Sequence, residues 1–162
     1  MVFAVVLGIA SLAVSIVTAI KAFEPHPRQP PSKAVAEMVF VDEADRALCR
    51  AIGPLMRESD ETKRSFTDSG PAGSPERAAA IPKFKTDTVD WANRIQQVLN
   101  DHASPPRYLT RTLQDYIDGM LLYSENIYQD RQPDVFDKAT WDSAIVAYGG
   151  PLGTCQKLGA MW

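Results

Sequence analysis

Apolar positions along this chain follow two regimes. The first twenty residues, MVFAVVLGIASLAVSIVTAI, hold no charged side chain and no proline. As a helix they rise about 30 Å, the thickness of a bilayer's hydrocarbon core, and this predicts a transmembrane anchor over 1–20. The competing reading is a cleaved signal peptide, with Val17-Thr18-Ala19 at its cleavage site. Against it, no basic segment precedes the run, and the run is longer than an ordinary h-region. Within it Ala4, Gly8, Ser11, Ser15 and Thr18 recur every three or four positions. They form one stripe of small residues, the kind of face through which membrane helices approach each other. The stripe predicts packing against a membrane-protein partner or a second copy of the chain. Small residues are also common in such helices with no partner.

Residues 21–33, KAFEPHPRQPPSK, break the pattern with four prolines. Proline fixes φ and removes a donor, so this stretch predicts a stiff, extended spacer. From 34 onward apolar residues return at helical spacing and strand signals are few. The expected fold class is all-α: an N-terminal transmembrane helix, a Pro-rich spacer, then a soluble bundle of about four to five helices over 34–162.

The bundle's elements can be read from seams and breaks. A first helix is expected after Ser32, with Val41, Ala44, Leu48, Ala51 and Leu55 on its inner side, and Gly53-Pro54 bending or interrupting it. The charged RESDETKRSF is expected as its solvated end, and TDSGPAGSP is a break. Ser74-Pro75-Glu76 has the form of a cap followed by proline at the first helical position. Ile81-Pro82 then suggests a short turn before a main helix that carries Phe84, Val89, Trp91, Ile95, Val98 and Leu99 to His102. HASPPRY repeats the device, with Ser104 as the expected cap. The next helix has the cleanest seam: Leu109, Leu113, Tyr116, Ile117, Met120, Ser124 and Ile127. A shorter helix from Asp137 to Tyr148 is expected to end at Gly149-Gly150, and Pro151 to open a last short one.

Charge narrows the function. The spacer holds three basic residues against one acidic, whereas 34–162 holds 14 Lys plus Arg against 19 Asp plus Glu, net −5. So acidic a head offers no basic surface for phosphates, and no nucleic-acid partner is expected. Orientation is contested within the sequence. Lys21, Arg28 and Lys33 just after the anchor favour a cytoplasmic domain by the positive-inside rule. The two cysteines, Cys49 and Cys155, pull the other way. An even pair without metal-like spacing reads as one disulfide in an oxidising compartment, against the alternative of two buried thiols. The expectation adopted is a single-pass cell-membrane protein with an extracytoplasmic domain, its final element tied to its first helix by that bridge.

No chemistry-bearing motif stands out. Asp42, Glu43 and Asp45 are crowded, as are Glu58, Asp60 and Glu61, but neither group has the spacing and central glycine of a calcium loop, and solvated faces are expected. Asp115 and Asp118 lack a Glu-x-x-His companion. His102 suits the carbonyl end of a helix. Two histidines and two cysteines without Cys-x-x-Cys make no zinc site, and no serine lies in Gly-x-Ser-x-Gly. YGGPLGTC lacks the Lys-Ser/Thr of a P-loop, and its glycines are explained by capping. No catalytic, cofactor-binding or metal-ligating residue is therefore assigned, and no enzyme is expected. The aromatic complement, Trp91, Tyr116, Tyr123, Trp141 and Tyr148 among it, reads mainly as core.

The alanine-rich make-up, with arginine over lysine and aspartate over glutamate, resembles that of small single-pass exported helical proteins of high-GC actinobacteria. The resemblance is compositional and carries over no functional residue.

Two functions of different classes follow. The first is a membrane-tethered interaction or scaffold protein, such as an accessory subunit of an envelope complex. It rests on the anchor, its stripe and the spacer. The alternative is a tethered binding domain for a lipid or other small envelope ligand, and it rests on the aromatic content. A closed, dry core goes with the scaffold. An aromatic-lined cavity of several hundred cubic ångströms goes with the binder.

Overall fold

The structure, a computed structural model, describes residues 40–162, which belong to the compact unit Ala34–Trp162. The expected anchor with Ala4, Gly8, Ser11, Ser15 and Thr18, and the spacer over 21–33, lie outside the described residues. Among the described residues no helix is long and apolar enough to cross a membrane.

Four helices make up the described chain: α1 (Asp42–Asp68), α2 (Pro75–His102), α3 (Tyr108–Asn126) and α4 (Val135–Lys157). Each packs on its neighbour in sequence, and α4 returns against α1. With short connections between packed neighbours, this is an up-down-up-down four-helix bundle. The expected all-α bundle is what the described residues form.

The buried seams are helical in period. Leu48, Ile52, Met56 and Phe66 come from α1, and Phe84, Trp91, Ile95 and Leu99 from α2. The third helix supplies the seam foreseen for it, Leu109, Leu113, Tyr116, Ile117, Met120 and Ser124, all buried. Ile127 is buried too, but as the extended residue that ends the helix. On α1 the core face is rotated from the expected one. Ile52 and Met56 are fully buried, whereas Ala51 and Leu55 are only half-buried. On α2, Val89 is exposed and Thr88 takes the inner position.

Proline and glycine behave differently from expectation in three places. Helix α1 starts only at Asp42, after an extended Val41, and then runs unbroken through Pro54 to Asp68. Pro54 sits on the exposed side, and the acceptor it frees belongs to the exposed Arg50, where water can take the lost bond. Its C-terminal stretch is not merely solvated, since Ser59 and Phe66 are buried. Helix α2 is likewise one piece from Ser74, whose side chain caps Arg77 N–H at 3.2 Å, with Pro82 exposed inside it.

The third place is α4, which is one helix where two were expected. Gly149-Gly150 is interior and caps nothing. Gly150 faces α3, where an added Cβ would collide with the Thr112 side chain, and a Cβ on Gly119 would meet Ala144 Cβ at 3.0 Å. Gly150 and Gly119 are there because α3 and α4 approach closely. The buried side of α4 is accordingly small: Ala144, Gly150, Pro151, Thr154 and Cys155, with Asp137 at its start.

Candidate functional site

The strongest candidate is a cavity of about 310 Å³ at the end of the bundle where α1 and α3 finish and α2 and α4 begin. Its apolar wall is aromatic. Phe66 of α1 lines it and is backed by Phe84 of α2, which lies outside the lining, with ring centroids 4.2 Å apart. Tyr123 of α3 sets its edge against both, at 6.4 and 5.9 Å, and against Trp141 of α4 at 4.9 Å. Edge-to-face pairs of this kind favour the ring quadrupoles as well as burial. Ala78, Ile81 and Ile127 complete the apolar lining. At the rim lies the exposed Tyr128, its ring 4.3 Å from Lys85 Nζ.

Two arginines frame the opening. Arg77 lies in the first turn of α2, in phase with the seam Ile81, Phe84 and Trp91. Its Nη2 donates to Thr67 O at 2.6 Å and to Gly70 O, which closes the α1–α2 turn. The guanidinium rides 4.6 Å over the Phe66 ring. Its Nε is buried without a partner. Arg131, in the α3–α4 connection, donates to Asp134 at 2.9 Å, to Asp137 at 2.6 Å and to Asn126 O.

Asp134 also caps α4, accepting from Phe136 N–H at 2.8 Å and Asp137 N–H at 3.1 Å. The backbone N–H of Asp137, then that of Phe136 and the Arg131 charge, hold its carboxyl below the usual range. Burial pushes the Tyr123 phenol up, and the nearby Arg77 charge offsets part of that, so Tyr123 remains a neutral hydroxyl at physiological pH. No residue among the described ones hydrogen-bonds that hydroxyl. None of the lining residues is a histidine, cysteine or serine. The cavity offers stacking surfaces and hydrogen-bond donors, which is the equipment of a binding site.

A second polar cluster ties the C-terminus to α1. Asp60 accepts from Tyr148 OH at 2.9 Å and Trp162 Nε1 at 3.2 Å, and pairs with Lys63 at 3.0 Å. Lys63 Nζ stands 4.0 Å from the Tyr148 ring centre. Nearby, Ser59 and Tyr116 share a buried 2.6 Å hydrogen bond. Burial raises the Tyr116 phenol well above its ordinary value. This cluster is a latch with its polar atoms paired.

Cys49 of α1 and Cys155 of α4 are brought to disulfide distance, with sulfurs 2.00 Å and Cα atoms 5.5 Å apart, and both are fully buried. The acidic clusters divide. Asp42, Glu43, Asp115 and Asp118 are exposed, but Asp45 is buried against Arg107, contrary to the solvated face expected for it. It lies in phase with Leu48, Ile52 and Met56, a signal present in the sequence. Nor does Ser104 cap α3: the residue before its first turn is Arg107, which exchanges hydrogen bonds with Thr110. His102 does lie at a helix end, its Nδ1 2.9 Å from Val98 O.

Comparison with protein-family models, with curated proteins and with solved structures gave no match.

Proposed function

We propose that this chain is a membrane-tethered, extracytoplasmic binding domain for a small envelope ligand. The observation that carries the reading is the aromatic-walled cavity of about 310 Å³. That volume is at the lower end of ligand pockets, roughly 300–1,000 Å³, and suits one compact molecule or a lipid headgroup region better than a whole lipid. In this reading the anchor over 1–20 and the spacer over 21–33 hold the pocket near the membrane surface, and an oxidising compartment keeps Cys49 bonded to Cys155. No catalytic step is part of it. The test is native mass spectrometry of the full chain gently extracted from its own membrane. A stoichiometric small molecule is expected, and it should be lost when Ala78→Trp fills the cavity. Protein that is free of ligand in both forms overturns the reading. In the same preparation, denaturation without reductant should expose no reactive thiol; two reactive thiols per chain would remove the support for the extracytoplasmic side.

A second reading, the interaction scaffold or accessory subunit of an envelope complex, is favoured by the outer face of α4. Val135 and Phe136 at its start and Val146 about three turns further on are 75, 74 and 79% exposed, apolar side chains that a partner docked along this helix would cover. The small-residue stripe supplies a second contact, inside the membrane. Here Gly8→Leu or Ser15→Leu should weaken association in the bilayer while leaving the soluble domain folded. Unchanged association in both variants counts against the stripe.

A further inference from the structure

We infer that the ligand is a small organic anion, an apolar ring or short chain carrying one acidic head, with Arg77 receiving the head and the Tyr123–Trp141 wall receiving the body. The inference rests on the binding reading above and adds the ligand's charge and orientation.

Charge at the cavity is distributed unevenly. Its lining carries three cations, Arg77, Arg131 and Lys138, against two carboxylates, Asp134 and Asp137. With Asp142, the partner of Lys138, the charges around the cavity balance in number, and what differs is how they are paired. Two of the cations are already neutralised. Arg131 bridges Asp134 and Asp137, and Lys138 pairs with Asp142. Arg77 alone among the lining cations has no carboxylate partner among the described residues. Carbonyl oxygens satisfy part of its guanidinium and hold it in place, but they leave its charge uncompensated. Only one nitrogen, Nη2, and the main-chain N–H are engaged in hydrogen bonds. A partly buried guanidinium with a fixed plane and free donors is suited to a carboxylate or phosphate oxygen.

The body's position follows from the same geometry. Arg77 covers the buried Phe66 ring, on which Phe84 also stacks, so the aromatic surface left to a ligand is that of Tyr123 and Trp141, packed edge to face beside it. A flat apolar group leaving Arg77 therefore meets aromatic surface. Tyr123, also a lining residue, carries a hydroxyl with a proton to donate to an acidic head. A cationic ligand meets the reverse conditions, since both carboxylates are occupied by Arg131 and cap contacts.

The test uses the full chain in phosphatidylcholine nanodiscs, with empty nanodiscs as reference, titrated by calorimetry with 2-naphthoate and with its neutral twin 2-naphthamide. Naphthoate is expected to bind at least tenfold more tightly. Arg77→Gln should bring the two within about twofold by weakening naphthoate alone, and Arg77→Lys should retain a preference for the anion. Because Arg77 also closes a turn, Tyr123→Phe serves as an independent variant; it removes no hydrogen bond made among the described residues and should weaken naphthoate several-fold. Repeating the titration with phosphatidylglycerol in the discs separates the sources of the head. Competition by that lipid assigns it to an anionic headgroup, and unchanged affinity assigns it to a free metabolite. Equal binding of the two probes, or a preference that survives Arg77→Gln, overturns the anion inference and leaves the pocket reading standing. Binding of neither probe overturns both.

Discussion

Arg107 Nε donates to Asp45 Oδ1 at 2.6 Å, joining residues 62 positions apart, and both side chains are withdrawn from water. The two remaining guanidinium nitrogens each donate one bond, Nη1 to Pro105 O at 2.9 Å and Nη2 to His102 O at 3.1 Å, while the second carboxylate oxygen accepts from Val41 N–H. One ion pair thereby organises the start of α1 and the whole α2–α3 connection. Removing one partner leaves the other charge buried and unpaired, which typically costs about 3–5 kcal/mol. Asp45→Ala and Arg107→Ala should each lower unfolding free energy by that order in urea titrations. The double replacement Asp45→Leu with Arg107→Met should recover most of the loss, because an apolar pair of similar volume avoids the desolvation penalty. Losses under about 1 kcal/mol for both single variants would show the pair to be hydrated.

The neighbouring glycines of α4 should respond with opposite signs. An added Cβ at Gly150 meets the Thr112 side chain, whereas at Gly149 it meets nothing within 4 Å. Gly150→Ala overpacks the α3–α4 crossing and should destabilise by about 1–3 kcal/mol. Gly149→Ala gains helix propensity in open space and should stabilise by about 0.5–1 kcal/mol. Were this pair a helix end with a left-handed residue, neither replacement would stabilise. Thermal melts of the two variants decide the point.

That contrast also shows where the sequence was legible. The seam of α3 could be read residue by residue because its apolar period is uninterrupted from Leu109 to Ser124. The inner side of α4 could not, since it is built from Ala144, Gly150, Thr154 and Cys155 while Val135, Phe136 and Val146 face out. A helix that packs by its small residues leaves no apolar stripe, and its glycines then resemble a terminus. Pro54 and Pro82 misled for a related reason. Proline on the outward face of a packed helix costs one solvent-facing bond, which tertiary contacts override. The cysteine pairing followed from an even count without metal-like spacing and from the place of each residue in its element. The cavity did not, because Arg77, Asp134 and Trp141 come from two helix starts that only the fold superimposes.

The bridge between Cys49 and Cys155 spans 106 positions. In the chain-entropy model a loop of about 100 residues is worth about 4–5 kcal/mol, with native strain subtracting from it. Replacing both cysteines with alanine should lower stability by about 2–5 kcal/mol. Loosening should appear first at the C-terminal turn of α4 and the Trp162 latch, where hydrogen exchange ought to accelerate before the centre of α3 is affected. A uniform increase across all four helices would mean the bridge acts on global unfolding alone.

High pH should expose the latch side of the core. Tyr116 is fully buried, and burial, the largest cause, raises its phenol above the ordinary value of 10.0, with the Ser59 hydrogen bond opposing. A group whose pKa is raised on folding contributes its full stability below the unfolded pKa and loses it as pH rises above that value. Above about pH 10 the unfolded chain releases this proton while the native one keeps it, so the unfolding free energy falls with pH. Tyr148, raised mainly by burial as well, adds to the slope in the same direction. Urea titrations between pH 8 and 11 should therefore show a decline that is shallower in Tyr116→Phe. At pH 8 the same variant should be less stable, because Ser59 loses its buried partner, a loss of about 1–3 kcal/mol. An identical alkaline slope in both proteins would mean that water reaches the Tyr116 hydroxyl in the folded state and that the phenol ionises there as it does in the unfolded chain.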